Sequence, residues 1–133
     1  MAEFSKEMKI VLIINLIVAF VYGIMYLFLP EAVYSLNDAP YFDPHFWRLF
    51  GGVLIAMGIP VLLGIIKGDW DYIKLFFLFA IIVLVILVLV NLTSNIYVIP
   101  RSATNLVFHW LDTIVMIVLV VFNTFFYLRE EKK

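Results

Sequence analysis

In a chain otherwise dominated by aliphatic side chains, Asn105, His109 and Asp112 fall at i, i+4 and i+7. That spacing puts all three on one face of a helix, and Met116 and Asn123 continue the stripe. A carboxylate three residues from an imidazole can orient the ring and make the pair proton-responsive, so His109 and Asp112 suit proton exchange. Asp112 lies about nine residues below the expected start of its helix near Ala103, roughly 13 Å deep at 1.5 Å per residue. An ionised Asp near the centre of a span costs about 2.5 to 3.5 kcal/mol on insertion scales, so such residues are usually paired or functional. Arg48, about four residues or roughly 6 Å below Pro44, is the expected partner. Its charge is permanent, and its planar fork matches a carboxylate. Asn91, Asn95, Tyr22 and Tyr26 fall in the same half of the chain's apolar runs and complete the polar cluster.

Two readings of this cluster stand side by side. In one, Arg48 and Asp112 clamp two helices together while the Asn and His side chains satisfy one another. Interhelical hydrogen bonds in membranes contribute only about 0.6 kcal/mol on average, so a clamp of this kind serves conformational specificity more than stability. In the other, the same groups line a small cavity for a polar head, a proton or an amphiphilic ligand. Asp43, His45, His109 and Asp112 are metal-type donors, but no compact HxxxH or HxxE motif organises them, and no metal or other cofactor is expected.

Several chemistries are excluded by what the chain lacks. Without cysteine there are no disulfides, thiolate metal sites or thiol nucleophiles. Neither GxSxG, a phosphate-binding glycine loop nor a dinucleotide fingerprint is present, and Ser94 and Ser102 sit at the ends of apolar runs with no nucleophile elbow. A net charge of −1, with basic residues scattered at the ends of the runs, offers nothing to nucleic acid. Asn91-Leu92-Thr93 fits the glycosylation sequon but lies too close to an apolar run to be modified. Val121, Tyr127 and Arg129 match the loose sterol-contact pattern that membrane boundaries readily produce.

The elements that must position these groups are four apolar runs, Met8 to Leu29, Phe46 to Ile66, Ile73 to Val90 and Leu106 to Leu128. Each approaches or exceeds the roughly 20 residues that a bilayer-spanning helix needs. Continuous rather than alternating hydrophobicity selects helices over a barrel. The composition is 65% hydrophobic with a mean hydropathy of +1.10, above the roughly 45–50% of soluble domains, so lipid must cover the excess. The expected fold is all-α: one domain over 1–133, a membrane-spanning four-helix up-down bundle with helices near 8–29, 44–66, 71–95 and 103–128. The first run is too long for a cleaved leader and reads as a retained signal anchor.

Local signals refine the boundaries. Pro30 ends the first helix, and Glu31 to Leu36 reads as a short surface helix in a loop that covers the polar cluster. Asp43 is the expected N-cap of the second span, with Pro44 at its first position. Pro60 is expected to kink that span, and Gly52 and Ala56 to admit a close neighbour, either within the chain or in an oligomer. Lys67 to Asp71 forms a tight turn, and Ser102 or Thr104 is the expected cap of the last span. Lys6, Lys9, Lys67, Lys74, Arg129, Lys132 and Lys133 fall on one side of the membrane and only Arg48 and Arg101 on the other, which predicts cytoplasmic termini.

Tyr22-Gly23, Phe28-Leu29-Pro30, Asp43-Pro44, Arg48-Leu49-Phe50-Gly51, Gly58, His109 and Asp112 together resemble small uncharacterised prokaryotic membrane proteins with four helices. The resemblance spans most of the chain. It implies an arginine near the start of the second span and a carboxylate on the fourth, and brings no activity with it.

The leading functional expectation is a non-enzymatic, multi-pass cell-membrane protein. Its outer-half pocket, anchored by Arg48 and Asp112 and shaped by His109, Asn91, Asn95 and Asn105, would bind an amphiphile or a partner helix. Two alternatives remain open: an enzyme or isomerase acting on a lipid-soluble substrate through His109 and Asp112, and a subunit of an oligomeric channel or transporter. Membrane lipid is the surrounding partner in all three.

Overall fold

Ser5, Asp43 and Gly68 mark helix boundaries through their own hydrogen bonds. The Ser5 hydroxyl accepts from Met8 N–H at 3.2 Å, and the Asp43 carboxylate accepts from His45 N–H at 2.9 Å with Pro44 next in sequence. Gly68 adopts φ 69°, the left-handed conformation that favours glycine, and its N–H returns to the Gly64 carbonyl at 2.9 Å. In this computed structural model, residues 3–37, 43–97 and 103–132 are described, without the side chains at 37, 94–97, 105 and 109. The described chain forms α1 (Lys6–Phe28), α2 (Pro30–Asn37), α3 (Pro44–Lys67), α4 (Trp70–Tyr97) and α5 (Ala103–Glu131).

The four long helices are each long and apolar enough to cross a membrane. They match the four predicted spans to within three residues at each end. The short helix expected over Glu31 to Leu36 is α2, which begins at Pro30 and buries Val33. Thr104 lies inside α5 and is not its cap; Ser102, the other expected cap, lies outside the described residues. Helix α3 continues through Pro60 to Lys67.

Large apolar side chains cover the outside of the isolated chain, with Leu75 76% and Ile66 70% exposed. Such a surface suits hydrocarbon, not water, and agrees with a small membrane protein. On α4, the third span expected to face lipid broadly, Leu75, Ile82, Ile86 and Leu89 are exposed.

Helix α1 packs most extensively along α3, and α4 along α5; the two pairs meet each other less closely. The α1–α3 crossing depends on Gly23 and Gly51. A Cβ on Gly51 would stand 2.7 Å from both the Gly23 carbonyl oxygen and the Leu27 nitrogen, so the backbones themselves are in contact. Gly58 lies against Phe20 and Leu16 further along the same crossing, so α1 and α3 run in opposite directions. Gly52, by contrast, faces open space, and Ala56 is exposed. The close approach within the chain therefore belongs to Gly51, one residue and about 100° around the helix from the position expected.

Burial is concentrated at one end of the molecule. Met8, Leu12, Val61, Trp70, Ile73 and Phe77 form a core where α1 and α4 begin and α3 ends. Gly64 lets Ile73 press against α3 just beyond the Lys67–Trp70 turn. The opposite end is closed by α2, which touches α1, α3 and α5.

Candidate functional site: a cleft closed by Tyr22 and Asp112

Polar contacts tie α1 and its N-cap to α5 at several levels. At the core end, Ser5 N–H donates to Glu130 Oε2 at 3.2 Å, and the Ser5 hydroxyl donates to Glu130 Oε1. Midway, Asn15 and Asn123 exchange hydrogen bonds through their amides at 2.7 and 2.8 Å. At the α2 end, the Tyr22 hydroxyl donates to Asp112 Oδ1 at 2.9 Å. The inward row of α5 comprises Asp112, Met116, Leu119, Asn123 and Glu130, at alternating three- and four-residue steps or a full turn pair. This is the stripe predicted for Asp112, Met116 and Asn123.

The Tyr22–Asp112 contact stands in an aromatic setting. The Tyr22 and Tyr26 rings are 6.2 Å apart; Tyr26 stacks on Trp47 at 5.4 Å and meets Phe50 edge-on at 5.3 Å. Trp47 and Phe50 lie on α3 beside the Gly51 crossing, so the tight α1–α3 packing sets the position of both tyrosines.

Cavities open on either side of the Tyr22–Asp112 contact. One of about 190 Å³ lies beneath α2, walled by Val33, Leu36, Phe108 and Leu111 with Tyr22, Tyr26 and Asp112. Another, of about 70 Å³, runs between the helix pairs and is bordered by the same Tyr22, Tyr26 and Asp112. A third, of about 100 Å³, reaches Asn15 and shares Val18, Ala19, Leu54, Leu84, Leu87 and Leu119 with the second. The shared walls make the second and third one groove. From Tyr26 to Asn15 along α1 it extends roughly 16 Å, and its lining is almost wholly apolar.

The expected site residues divide in consequence. Tyr22, Tyr26 and Asp112 are brought together. Arg48 is not at this site: its side chain is exposed and borders none of these cavities. The ion pairs among the described residues are Lys74–Asp71 at 2.6 Å and Arg129–Glu7 at 3.7 Å, and the expected Arg48–Asp112 pair is not among them. The physical reason is helical phase. Trp47, Gly51, Leu54, Gly58 and Val61 form the inward row of α3, and Arg48 is turned about 100° from Trp47. Asn91 is half-buried on α4 and borders neither cavity that touches Asp112. The side chains of Asn95, Asn105 and His109 lie outside the described residues.

Asn15 was not singled out from the sequence, although a signal for it existed. It interrupts the first apolar run at a depth comparable to that of Asn123 in the last, both counted from the same membrane side. Two amides at equal depth in neighbouring helices are natural partners.

Among the described residues no three His, Asp or Glu side chains gather as a metal-binding set. The four apolar helices and the groove between them define a class, the small helical membrane protein. No protein family, curated protein or solved structure matches the chain.

Proposed function

We propose that this chain is a non-enzymatic, multi-pass protein of the cell membrane that holds an amphiphilic molecule between its two helix pairs. In this reading the bundle is up-down with both termini cytoplasmic, which places α2, Tyr22 and Asp112 toward the outer face. The apolar part of the ligand occupies the groove along Leu54, Leu84, Leu87 and Leu119, and its polar end meets Tyr22 and Asp112.

One observation carries the reading. The same three polar-tipped side chains, Tyr22, Tyr26 and Asp112, border both the cavity under α2 and the apolar groove. A site for an amphiphile needs that arrangement, a few placed polar groups at the mouth of a mostly apolar pocket.

The test is native mass spectrometry of protein extracted from membranes in a mild detergent. The wild-type chain should carry a retained amphiphile that survives delipidation. Leu87→Trp, which fills the groove from α4, should lose it while keeping its helical circular dichroism. Retention by the variant equal to that of the wild type would sink the proposal.

A further inference from the structure

We infer that the occupant of the groove enters sideways from the bilayer, between α3 and α4, and is a lipid-soluble molecule whose polar end carries no charge. The inference rests on the reading of the groove as an amphiphile site and adds the route and the chemical class of the ligand.

The four long helices touch in a ring, α1 to α3, α3 to α4, α4 to α5 and α5 to α1. Two of these seams are held by specific contacts in the half nearest α2: backbones meet at Gly23 and Gly51, and Tyr22 bonds to Asp112. A third, between α4 and α5, is packed extensively. The fourth, between α3 and α4, is held at its far end. Gly64 meets Ile73 beside the turn, and Val61, Phe77 and Ile81 join the core there. Beyond that core, no α4 side chain from Ile82 to Thr93 is buried among the described residues. From Phe50 to Ile66 and from Leu75 to Val90, neither helix has a polar side chain that could bond across the seam.

The groove lies behind this stretch. Phe50 and Leu54 of α3 and Leu84 and Leu87 of α4 are among its walls, and all four are partly exposed. At the α2 end, by contrast, Pro30 and Val33 are buried, and α2 touches α1, α3 and α5. The less guarded side of the groove is therefore the one that faces acyl chains.

The class of ligand follows from the depth of that opening. Phe50 and Leu54 stand six and ten residues from Pro44, roughly 9 to 15 Å below the start of α3. A molecule passing there crosses hydrocarbon, where a charged head gives up its hydration, whereas a hydroxyl or carbonyl gives up far less. A long-chain alcohol or ketone can make that passage and still use hydrogen-bonding groups at the end of the groove, where Tyr22 and Asp112 stand.

Because the chain has no cysteine, either route can be closed by a bridge between two introduced thiols. Val53 and Leu84 each lie eleven residues from the Gly64–Ile73 contact, about three helical turns along and so on facing sides of α3 and α4. Val53→Cys with Leu84→Cys is bridged by a bifunctional methanethiosulfonate. Leu36→Cys with Phe108→Cys, both at the cavity under α2, is bridged for comparison. Hexadecanol bearing a diazirine near the end of its chain is added in phosphatidylcholine nanodiscs, and photolabelling at Val115 and Leu119 is normalised to that at the exposed Leu75.

Bridging α3 to α4 before the probe is added should lower groove labelling at least about tenfold. Reduction of the bridge should restore it, and probe loaded before bridging should label fully. Bridging α2 to α5 should change labelling by less than about twofold. In the unsubstituted chain, hexadecanol should exceed the matching hexadecyl phosphate and hexadecyltrimethylammonium probes by at least about tenfold. If the Val53 and Leu84 pair does not fold, Phe50→Cys with Leu87→Cys closes the same seam. Labelling that survives the α3–α4 bridge, that falls equally whichever of probe and bridge comes first, or that the α2–α5 bridge abolishes overturns the lateral route. A charged probe that matches the alcohol overturns the uncharged end. Each of these results leaves the amphiphile site standing, whereas groove labelling by none of the probes overturns the site and the inference together.

Discussion

Asn15 and Asn123 form a reciprocal amide pair across α1 and α5, each side chain donating to and accepting from the other at 2.7 and 2.8 Å. Asn15 Nδ2 also donates to the Val11 carbonyl at 2.8 Å, which holds the amide in register with its own helix. Asn123 is fully buried. Two amides in an apolar seam satisfy each other, whereas either one alone is left without its partner in a place that water does not reach. Asn15→Leu and Asn123→Leu should each lower stability by about 0.6 to 1.7 kcal/mol, and the double substitution by less than the sum. Reversible unfolding in mixed micelles measures all three, and strict additivity would mean that the amides do not act as a pair.

The contact between Tyr22 and Asp112 makes a contrasting pair of cycles available. Tyr22→Phe and Asp112→Ala should show coupling of about 0.5 kcal/mol or more, because they remove the donor and the acceptor of one hydrogen bond. Arg48→Gln and Asp112→Asn should be additive to within about 0.3 to 0.5 kcal/mol, since Arg48 is exposed and away from the site. Coupling in the Arg48 cycle with none in the Tyr22 cycle would reverse the assignment of partners.

Glycine substitutions separate the two sides of α3. Gly51→Ala forces a methyl group against the α1 backbone and should destabilise by about 1 to 3 kcal/mol, with a comparable loss for Gly23→Ala against Ile55. Gly52→Ala meets nothing within 4 Å and should be neutral or slightly stabilising, because alanine is the better helix former. Thermal unfolding of the three variants in one detergent gives the comparison. A loss at Gly52 matching that at Gly51 would indicate that the exposed face is occupied by another copy.

Membrane orientation is open to direct measurement because the chain has no cysteine of its own. Glu31→Cys and Lys132→Cys place single thiols at exposed positions at opposite ends of the bundle. An impermeant maleimide added to intact cells should label the first and spare the second until the cells are opened. The opposite pattern would put the termini outside.

Local features made much of the fold readable. The apolar runs, the Asp43-Pro44 start of α3 and the glycine at 68 each act within a turn or two of their own position, so the helices and their limits could be read without knowing what they pack against. The inward stripe of α5 was also visible, since Asp112, Met116 and Asn123 share a face on any regular helix. The partner of Asp112 was not. Arg48 and Tyr22 both occupy a plausible depth, and charge favoured the arginine, but depth and charge say nothing about the angle at which each helix is rotated.

That angle is where tertiary structure decides. The residues themselves determined that this chain makes four long apolar helices, because an unbroken hydrophobic run in hydrocarbon must satisfy its backbone internally. Contact between backbones at Gly23 and Gly51 then fixed how α3 is turned toward α1, directing Trp47 inward and Arg48 away. With α1 held by α3 and α4 by α5, the space between the pairs became a groove, and Tyr22 met Asp112 at its mouth. Side-chain periodicity defines the faces of a single helix, but only the packing of one surface into another selects which faces meet.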